Sequence, residues 1–183
     1  MTSTVVLLSG GLDSAVILQR AVNRGVHVVA LGLRYGQPHE DQEQAHAKAF
    51  CGSRGVEFIQ QTLPGMPFPG VKGKGAIVPG RNLVLIAAGV SLAVARSMHR
   101  VAIGVNEDDR GIFPDCRPGF LKAACAVAEE GYGVQVLAPL STVTKRMIRR
   151  LAGELGIKPE ETWSCYTGGS EPCGDCQACF SLA

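Results

Sequence analysis

Apolar positions along this chain follow two alternating periods. Residues 4–8 form an unbroken aliphatic and β-branched run that stops at Ser9-Gly10-Gly11, the pattern of a strand buried on both faces and running into a tight turn. Ala15, Val16, Leu18, Ala21 and Val22 then recur at helical spacing, with Asp13 and Ser14 placed to accept the first free N–H groups and Gly25 to end the helix. Residues 26–33 return to strand. Pro38 opens a second, polar helix through Glu40, Glu43 and Lys48, which stops at Gly55 before a strand over residues 56–60. The spacing predicts βαβαβ, hence a parallel sheet with right-handed crossovers.

Between Leu63 and Val78, three prolines, four glycines, Lys72 and Lys74 defeat regular structure and predict a mobile lid. An apolar helix over residues 82–97 follows, its stretch 83–95 reading as buried. A short strand at 101–105 leads into the polar, turn-rich residues 106–116, where ligand loops are expected. Pro118 begins a helix ending near Gly131, residues 134–138 form a last strand, and residues 143–156 a last amphipathic helix. The tail from Lys158 carries cysteines. There is no internal repeat and no domain linker.

Composition narrows this further. A length of 183 residues suits one globular domain, and 46% hydrophobic against 19% charged residues excludes a disordered or fibrous chain. The net charge of +2 is too near balance for gripping duplex nucleic acid through its phosphates, so no nucleic-acid partner is expected. Glycine, at 23 residues, is nearly double its usual share of about 7%, as in α/β proteins with glycine-rich ligand loops. The apolar stretch at 83–95 is shorter than the ~20 residues a membrane span needs. Residues 1–4 lack the basic region of a signal peptide, so a cytoplasmic protein without membrane contact is expected.

Three motifs carry chemistry. Ser9-Gly10-Gly11-Leu12-Asp13-Ser14 lies between strand and helix, where glycines let the backbone approach a polyanion and helix-start N–H groups point at it. It is neither a Walker loop nor a dinucleotide fingerprint. Cys165 with Cys173-x-x-Cys176-x-x-Cys179 supplies four thiolates, and Gly168, Gly169 and Gly174 supply turns that let them converge on structural zinc; an iron–sulfur cluster is the rival occupant. Asp115-Cys116-Arg117, near Asn106-Glu107-Asp108-Asp109, sets a carboxylate beside a guanidinium, able to read a polar heterocycle or simply to pair on the surface. Lys145, Arg146, Arg149 and Arg150 read as a solvated helix face from which Lys145 can reach phosphates. His39 and His46, seven apart, share one helical face.

Ser-Gly-Gly-x-Asp-Ser after a buried first strand resembles the PP-loop of the ATP pyrophosphatases. The wider set of segments resembles one family nearly end to end, the 7-cyano-7-deazaguanine synthases of queuosine biosynthesis. It comprises Ser9 to Ser14, Tyr35-Gly36-Gln37-Pro38-His39, Val78-Pro79-Gly80-Arg81-Asn82, Gly104-Val105-Asn106, Pro114-Asp115-Cys116-Arg117, Pro139-Leu140 with Lys145, and Thr162-Trp163-Ser164-Cys165-Tyr166 before the cysteine triplet. The resemblance implies an α/β fold with a Rossmann-like parallel sheet flanked by helices, of the adenine nucleotide alpha hydrolase-like type. Residues 1–157 would form the PP-loop domain and 158–183 a zinc-binding segment of the same globular unit.

The implied activity is that of an ATP-dependent ligase, typically a homodimer, that takes 7-carboxy-7-deazaguanine and ammonia through an amide to the nitrile, with Mg²⁺ accompanying ATP and a structural Zn²⁺ on Cys165, Cys173, Cys176 and Cys179. Carried over residue by residue, Ser9, Gly10, Gly11, Leu12, Asp13, Ser14 and Arg81 bind ATP, and Asp13, Ser14 and Lys145 serve catalysis. Tyr35, Gln37, His39, Asn106, Asp115 and Arg117 bind the deazaguanine. Three departures surround the expected pocket: a shorter stretch between Leu63 and Val78, Ala15 where the family usually carries a hydroxyl, and Arg110-Gly111-Ile112-Phe113 in place of a Phe-Ser-Gly-Tyr type of sequence. They leave room for a divergent enzyme that stops at an amide or joins the acid to another amine, such as one on a protein. A non-catalytic nucleotide- or base-binding module is the third reading.

Overall fold

The computed structural model describes residues 2–63 and 78–180. Five parallel strands, β1 (Ser3–Leu7), β2 (His27–Arg34), β3 (Glu57–Thr62), β4 (Arg100–Ala102) and β5 (Gln135–Leu137), stand in the order β3-β2-β1-β4-β5. Between them run α1 (Leu12–Asn23), α2 (Glu40–Gly52), α3 (Arg81–Ala95), α4 (Pro118–Tyr132) and α5 (Lys145–Glu154), followed by a short α6 (Gln177–Phe180).

The strand period of two divides the core. On β1 and β2, Val5, Leu7, Val29, Leu31 and Leu33 face a layer made by α3 and α4, where Ile86, Val90, Leu121 and Ala124 meet them. Val6, Leu8, Val28 and Ala30 face the other way, onto Val16 and Leu18 of α1, Ala47 and Phe50 of α2, and Ile148 of α5. A strand apolar at every position is thus the one demanded by helices on both faces. Gly89 lets α3 close on the sheet, because a Cβ there would lie 2.8 Å from Val101 Cγ1 and 3.0 Å from Leu7 Cδ2.

Connections from β1 lead outward to β2 and β3 on one side, whereas β4 and β5 lie on the other. The order in which strands are added therefore reverses between β1 and β4, and a crevice opens beyond their carboxyl ends. Ser9–Ser14 follows β1 into that crevice, and Gly104–Asn106 follows β4.

The sequence pattern and the structure differ in particulars. α1 begins at Leu12 with Gly11 as its cap and no capping side chain, so Asp13 and Ser14 stand inside the first turn rather than at the cap. The apolar α3 is buried on one face only: Leu83, Val84 and Val94 remain exposed. Composition signalled burial there, but a single sheet face covers only one stripe of a helix. β4 ends at Ala102 because the chain leaves the ladder to enter the crevice. The expected lid at 64–77 lies outside the described residues. No helix among the described residues is long and apolar enough to cross a membrane.

Candidate functional site

The crevice holds a cavity of about 270 Å³ whose floor is the turn after β1. Gly10 takes φ +80°, and a side chain there would overlap the carbonyl oxygen of Glu43. The turn therefore needs glycine both for its left-handed backbone and for the close approach of α2. The Ser14 hydroxyl donates to the Gly11 carbonyl (3.0 Å) and accepts the Ser9 N–H (3.3 Å), while Ser9 Oγ accepts the Gly11 N–H (3.3 Å). These bonds brace the turn from within, and the uncapped start of α1 presents its dipole to the cavity.

Asp13 projects from that first turn into a charged lattice. Its Oδ1 lies 2.5 Å from Lys145 Nζ and its Oδ2 accepts Asn106 Nδ2–H at 2.7 Å. Lys145 is the first residue of α5, where Thr144 caps the helix and Asp108 accepts the Lys145 N–H (2.8 Å). Asn106 in turn accepts the Asp109 N–H (3.1 Å) and donates its own N–H to Asp109 Oδ2 (3.3 Å). Burial raises the Asp109 carboxyl above its usual range, with Asp13 adding to the effect. The structure thus brings Asp13, Asn106 and Lys145 together across 132 residues of chain.

The opposite wall is cut from α2, α3 and the tail. Arg81, at the start of α3, lies with its guanidinium carbon 5.6 Å from the centre of the Phe113 ring and faces Tyr35, whose phenol burial pushes upward. His39 donates Nδ1–H to the Tyr166 carbonyl (3.2 Å), its ring 5.4 Å from that of Tyr166. Its Nε2 lies 3.5 Å from Glu43 Oε1. Glu43, absent from the residues expected at the site, is only 14% exposed, and burial pushes its carboxyl up to about 7. A carboxylate one helical turn beyond His39 was the available signal.

Three expected substrate ligands stand off the cavity wall. Gln37 is buried behind it, donating to Leu33 O (3.1 Å) and Glu43 Oε2 (3.0 Å) and accepting the Tyr35 N–H (2.9 Å). Asp115 accepts the Asn82 N–H (2.9 Å) at the first turn of α3, and its carbonyl accepts Asn82 Nδ2–H (3.2 Å). Its carboxylate thus satisfies a helix-start donor beneath Arg81. Arg117 is exposed and, among the described residues, reaches the Arg110 carbonyl (3.5 Å). The Val78–Asn82 and Pro114–Arg117 segments are therefore interlocked through Asn82 and Asp115, a pairing that adjacency in the sequence does not reveal.

The four cysteines converge: their sulfur atoms all lie within 4.8 Å of one another, with Cys176–Cys179 at 3.5 Å and Cys173–Cys179 at 4.0 Å. Four sulfurs about 2.3 Å from a single tetrahedral ion stand about 3.8 Å apart, so the donor set fits one ion. The Asp175 N–H reaches Cys173 Sγ (3.5 Å) and the Cys173 N–H reaches Cys165 Sγ (3.3 Å), hydrogen bonds that favour the ionised sulfur. This cluster is tied to the cavity. The Trp163 N–H donates to the Gly10 carbonyl (2.8 Å), its ring lies 5.5 Å from that of His46, and Trp163, Ser164 and Tyr166 line the wall. His39, just before α2, and His46 within it thus both meet the tail.

Comparison with known proteins gives a consistent result. The family model described as queuosine biosynthesis protein QueC matches residues 3–68 and 68–182. A curated relative named 7-cyano-7-deazaguanine synthase from Prochlorococcus marinus (strain MIT 9303) is 39% identical, over 97% of this chain and 89% of its own length. One of the same name from Synechococcus sp. (strain CC9902) is 40% identical over the same shares. Among solved structures, the U34-tRNA thiolase NcsA from Methanococcus maripaludis with its [4Fe-4S] cluster matches at TM-score 0.60 and 16% identity, over 86% of this chain and 58% of its own. The NMN synthetase from Francisella tularensis matches at 0.57 and 18%, over 96% and 70%. At such identities these two likenesses concern the fold alone.

Proposed function

The chain belongs to the family of queuosine biosynthesis protein QueC, and from that membership we propose that it is an ATP-dependent carbon–nitrogen ligase converting 7-carboxy-7-deazaguanine and ammonia into 7-cyano-7-deazaguanine. A carboxylate at neutral pH repels nucleophiles and lacks a leaving group, so it must first be esterified to AMP. The observation that carries this reading is the Gly10-Gly11 turn at the sheet's switch point, where the uncapped start of α1 and Lys145 offer positive potential to a diphosphate. Ser9, Gly10, Gly11, Leu12, Asp13 and Ser14 cradle the leaving pyrophosphate, and Arg81 and Lys145 offset its charge. Mg²⁺ bound with ATP would supply further neutralisation, with Asp13 the nearest carboxylate of the cradle.

Tyr35, His39 and Asn106 bound the space left for the organic acid. Asp115 acts from behind the wall, by holding the start of α3 and so Arg81, and Gln37 acts by holding Glu43. The amide formed by ammonia is itself adenylated in the same cavity, and loss of AMP leaves the nitrile. One geometry serves both rounds, since each brings an oxygen to the α-phosphate. Cys165, Cys173, Cys176 and Cys179 hold a structural zinc ion, a reading supported by sulfur spacings suited to one ion rather than to a cubane, whose thiolates sit on four separate irons. The enzyme acts as a homodimer in this reading, and the uncharged outer face of α3 is a surface such pairing would cover.

The test is incubation with 7-carboxy-7-deazaguanine, MgATP and ammonium, following the base by mass spectrometry. Nitrile with two AMP per turnover supports the proposal. ADP in place of AMP, or no acid-dependent nucleotide cleavage, refutes it.

A further inference from the structure

Glu43 is a buried carboxylate on the wall of the cavity, and the cradle does not use it. Its main chain presses against Gly10 of the phosphate turn, which sets its side chain beside the place where adenylation occurs. Gln37 fixes that side chain by donating to Oε2, and Gln37 is itself locked by Leu33 O and the Tyr35 N–H. The remaining oxygen, Oε1, faces His39 Nε2 at 3.5 Å. His39 spends its Nδ1 hydrogen on the Tyr166 carbonyl, so in the neutral ring Nε2 carries a lone pair. The lone pair and the carboxylate oxygen together make a place for one proton, open when Glu43 is ionised and filled when it has accepted a proton.

Resting on the adenylation reading above, we propose that Glu43, held by Gln37 and paired with His39, is the catalytic base that takes the surplus proton from the attacking nitrogen. The nitrogen lone pair of ammonia bonds to the carbonyl carbon of the acyl-adenylate, and the carbon–oxygen bond to AMP breaks with its electron pair going to AMP. The nitrogen, left with three hydrogens and a positive charge, gives one to Glu43, leaving the amide and a protonated carboxyl whose proton His39 Nε2 can share.

The surroundings suit this task. Burial raises Glu43 to about 7 and lowers His39, so the pair holds its proton loosely near neutral pH, where a general base is most effective. Burial is the largest influence on Glu43; the Gln37 hydrogen bond and Arg81 from α3 favour its ionisation, while Glu40, one turn back on α2, opposes it. The phenols of Tyr35 and Tyr166 complete the enclosure, both pushed upward by burial and neutral at working pH.

The experiment separates the two halves of the reaction. Acid-dependent exchange of labelled pyrophosphate into ATP reports adenylation, and amide formation from ammonium reports nitrogen transfer. In Glu43→Gln, which keeps the shape of the side chain, exchange should stay within about twofold of wild type, while amide formation at pH 7 falls about 100-fold or more. At constant free ammonia, the wild-type rate should fall below pH 7 and level above it, whereas the variant climbs about tenfold per pH unit as hydroxide takes the proton. Glu43→Asp, retaining a carboxylate, should recover part of the rate. Parallel loss of exchange and amide formation in Glu43→Gln would make Glu43 a binding residue and overturn the proposal, as would unchanged amide formation. Absence of exchange in the wild type would overturn the adenylation reading itself, and this one with it.

Discussion

Replacing Gly10 by alanine attacks the cradle where conformation and packing coincide. The φ of +80° costs a residue with a side chain about 1–2 kcal/mol. The new Cβ would overlap the Glu43 carbonyl oxygen and stand 3.0 Å from Glu43 C and 3.1 Å from its Cα, where carbon atoms prefer about 3.5–4.0 Å. No flexible side-chain end can move aside, because the contacted atoms are backbone, bonded by the Glu43 N–H to the His39 carbonyl (3.0 Å). The first turn of α2 must therefore back away, at an overpacking cost of about 1–3 kcal/mol. The two together give a destabilisation of about 2–5 kcal/mol. Trp163, the chain's single tryptophan, donates to the Gly10 carbonyl, so its fluorescence reports the unfolding directly in a urea titration. Acid-dependent pyrophosphate exchange should drop about 100-fold, as misplacement of a catalytic cradle by about 1 Å does elsewhere. Gly25→Ala is the control: its φ is +68° but nothing lies within 4 Å, so it should lose only the conformational part and keep full exchange. A Gly10→Ala protein with stability within about 0.5 kcal/mol of wild type and full exchange would refute the close approach and the cradle built on it.

Asp13→Asn should abolish AMP release while leaving metal content unchanged, since it removes the carboxylate bridging Lys145 and Asn106 and touches no cysteine; retained AMP release in atomic-absorption-matched protein would argue against its role. Cys176→Ser should lower metal affinity by more than about two orders of magnitude and shift Trp163 fluorescence, because Trp163 and Cys165 lie in one segment over the phosphate turn. Glu43 binds its proton more tightly folded, at about 7 against 4.5 unfolded, so stability it contributes in acid is lost as pH rises through that window. Glu43→Gln should therefore gain on wild type by up to about 3 kcal/mol between pH 4.5 and 8 in urea titrations, and parallel pH profiles would contradict its burial as a carboxyl.

Much of the fold was legible because β1 and β2 announce themselves by runs apolar at every position, which only a sheet covered on both faces requires. The Gly10-Gly11 turn and the cysteine spacing are equally local signals. What the chain concealed is long-range: Lys145 meets Asp13 across 132 residues and Tyr166 meets His39 across 127. Asp115 reads as a ligand in the sequence because an acid beside an arginine on a polar loop suits a heterocycle. Its partner is instead the backbone of Asn82, 33 residues earlier, and no periodicity encodes that contact. In the sequence Glu43 is one charge among several on a polar helix, since its burial comes from Gly10 and the tail rather than from its own helix.

If an organic acid is esterified to AMP above the Gly10-Gly11 turn, its own oxygens must leave on AMP, and isotope transfer reads this out. With both carboxylate oxygens of 7-carboxy-7-deazaguanine labelled as ¹⁸O, adenylation followed by a second activation of the amide should deliver one labelled oxygen to each of two AMP molecules and none to pyrophosphate, read by mass spectrometry. Unlabelled AMP, or label emerging in inorganic phosphate, would contradict it.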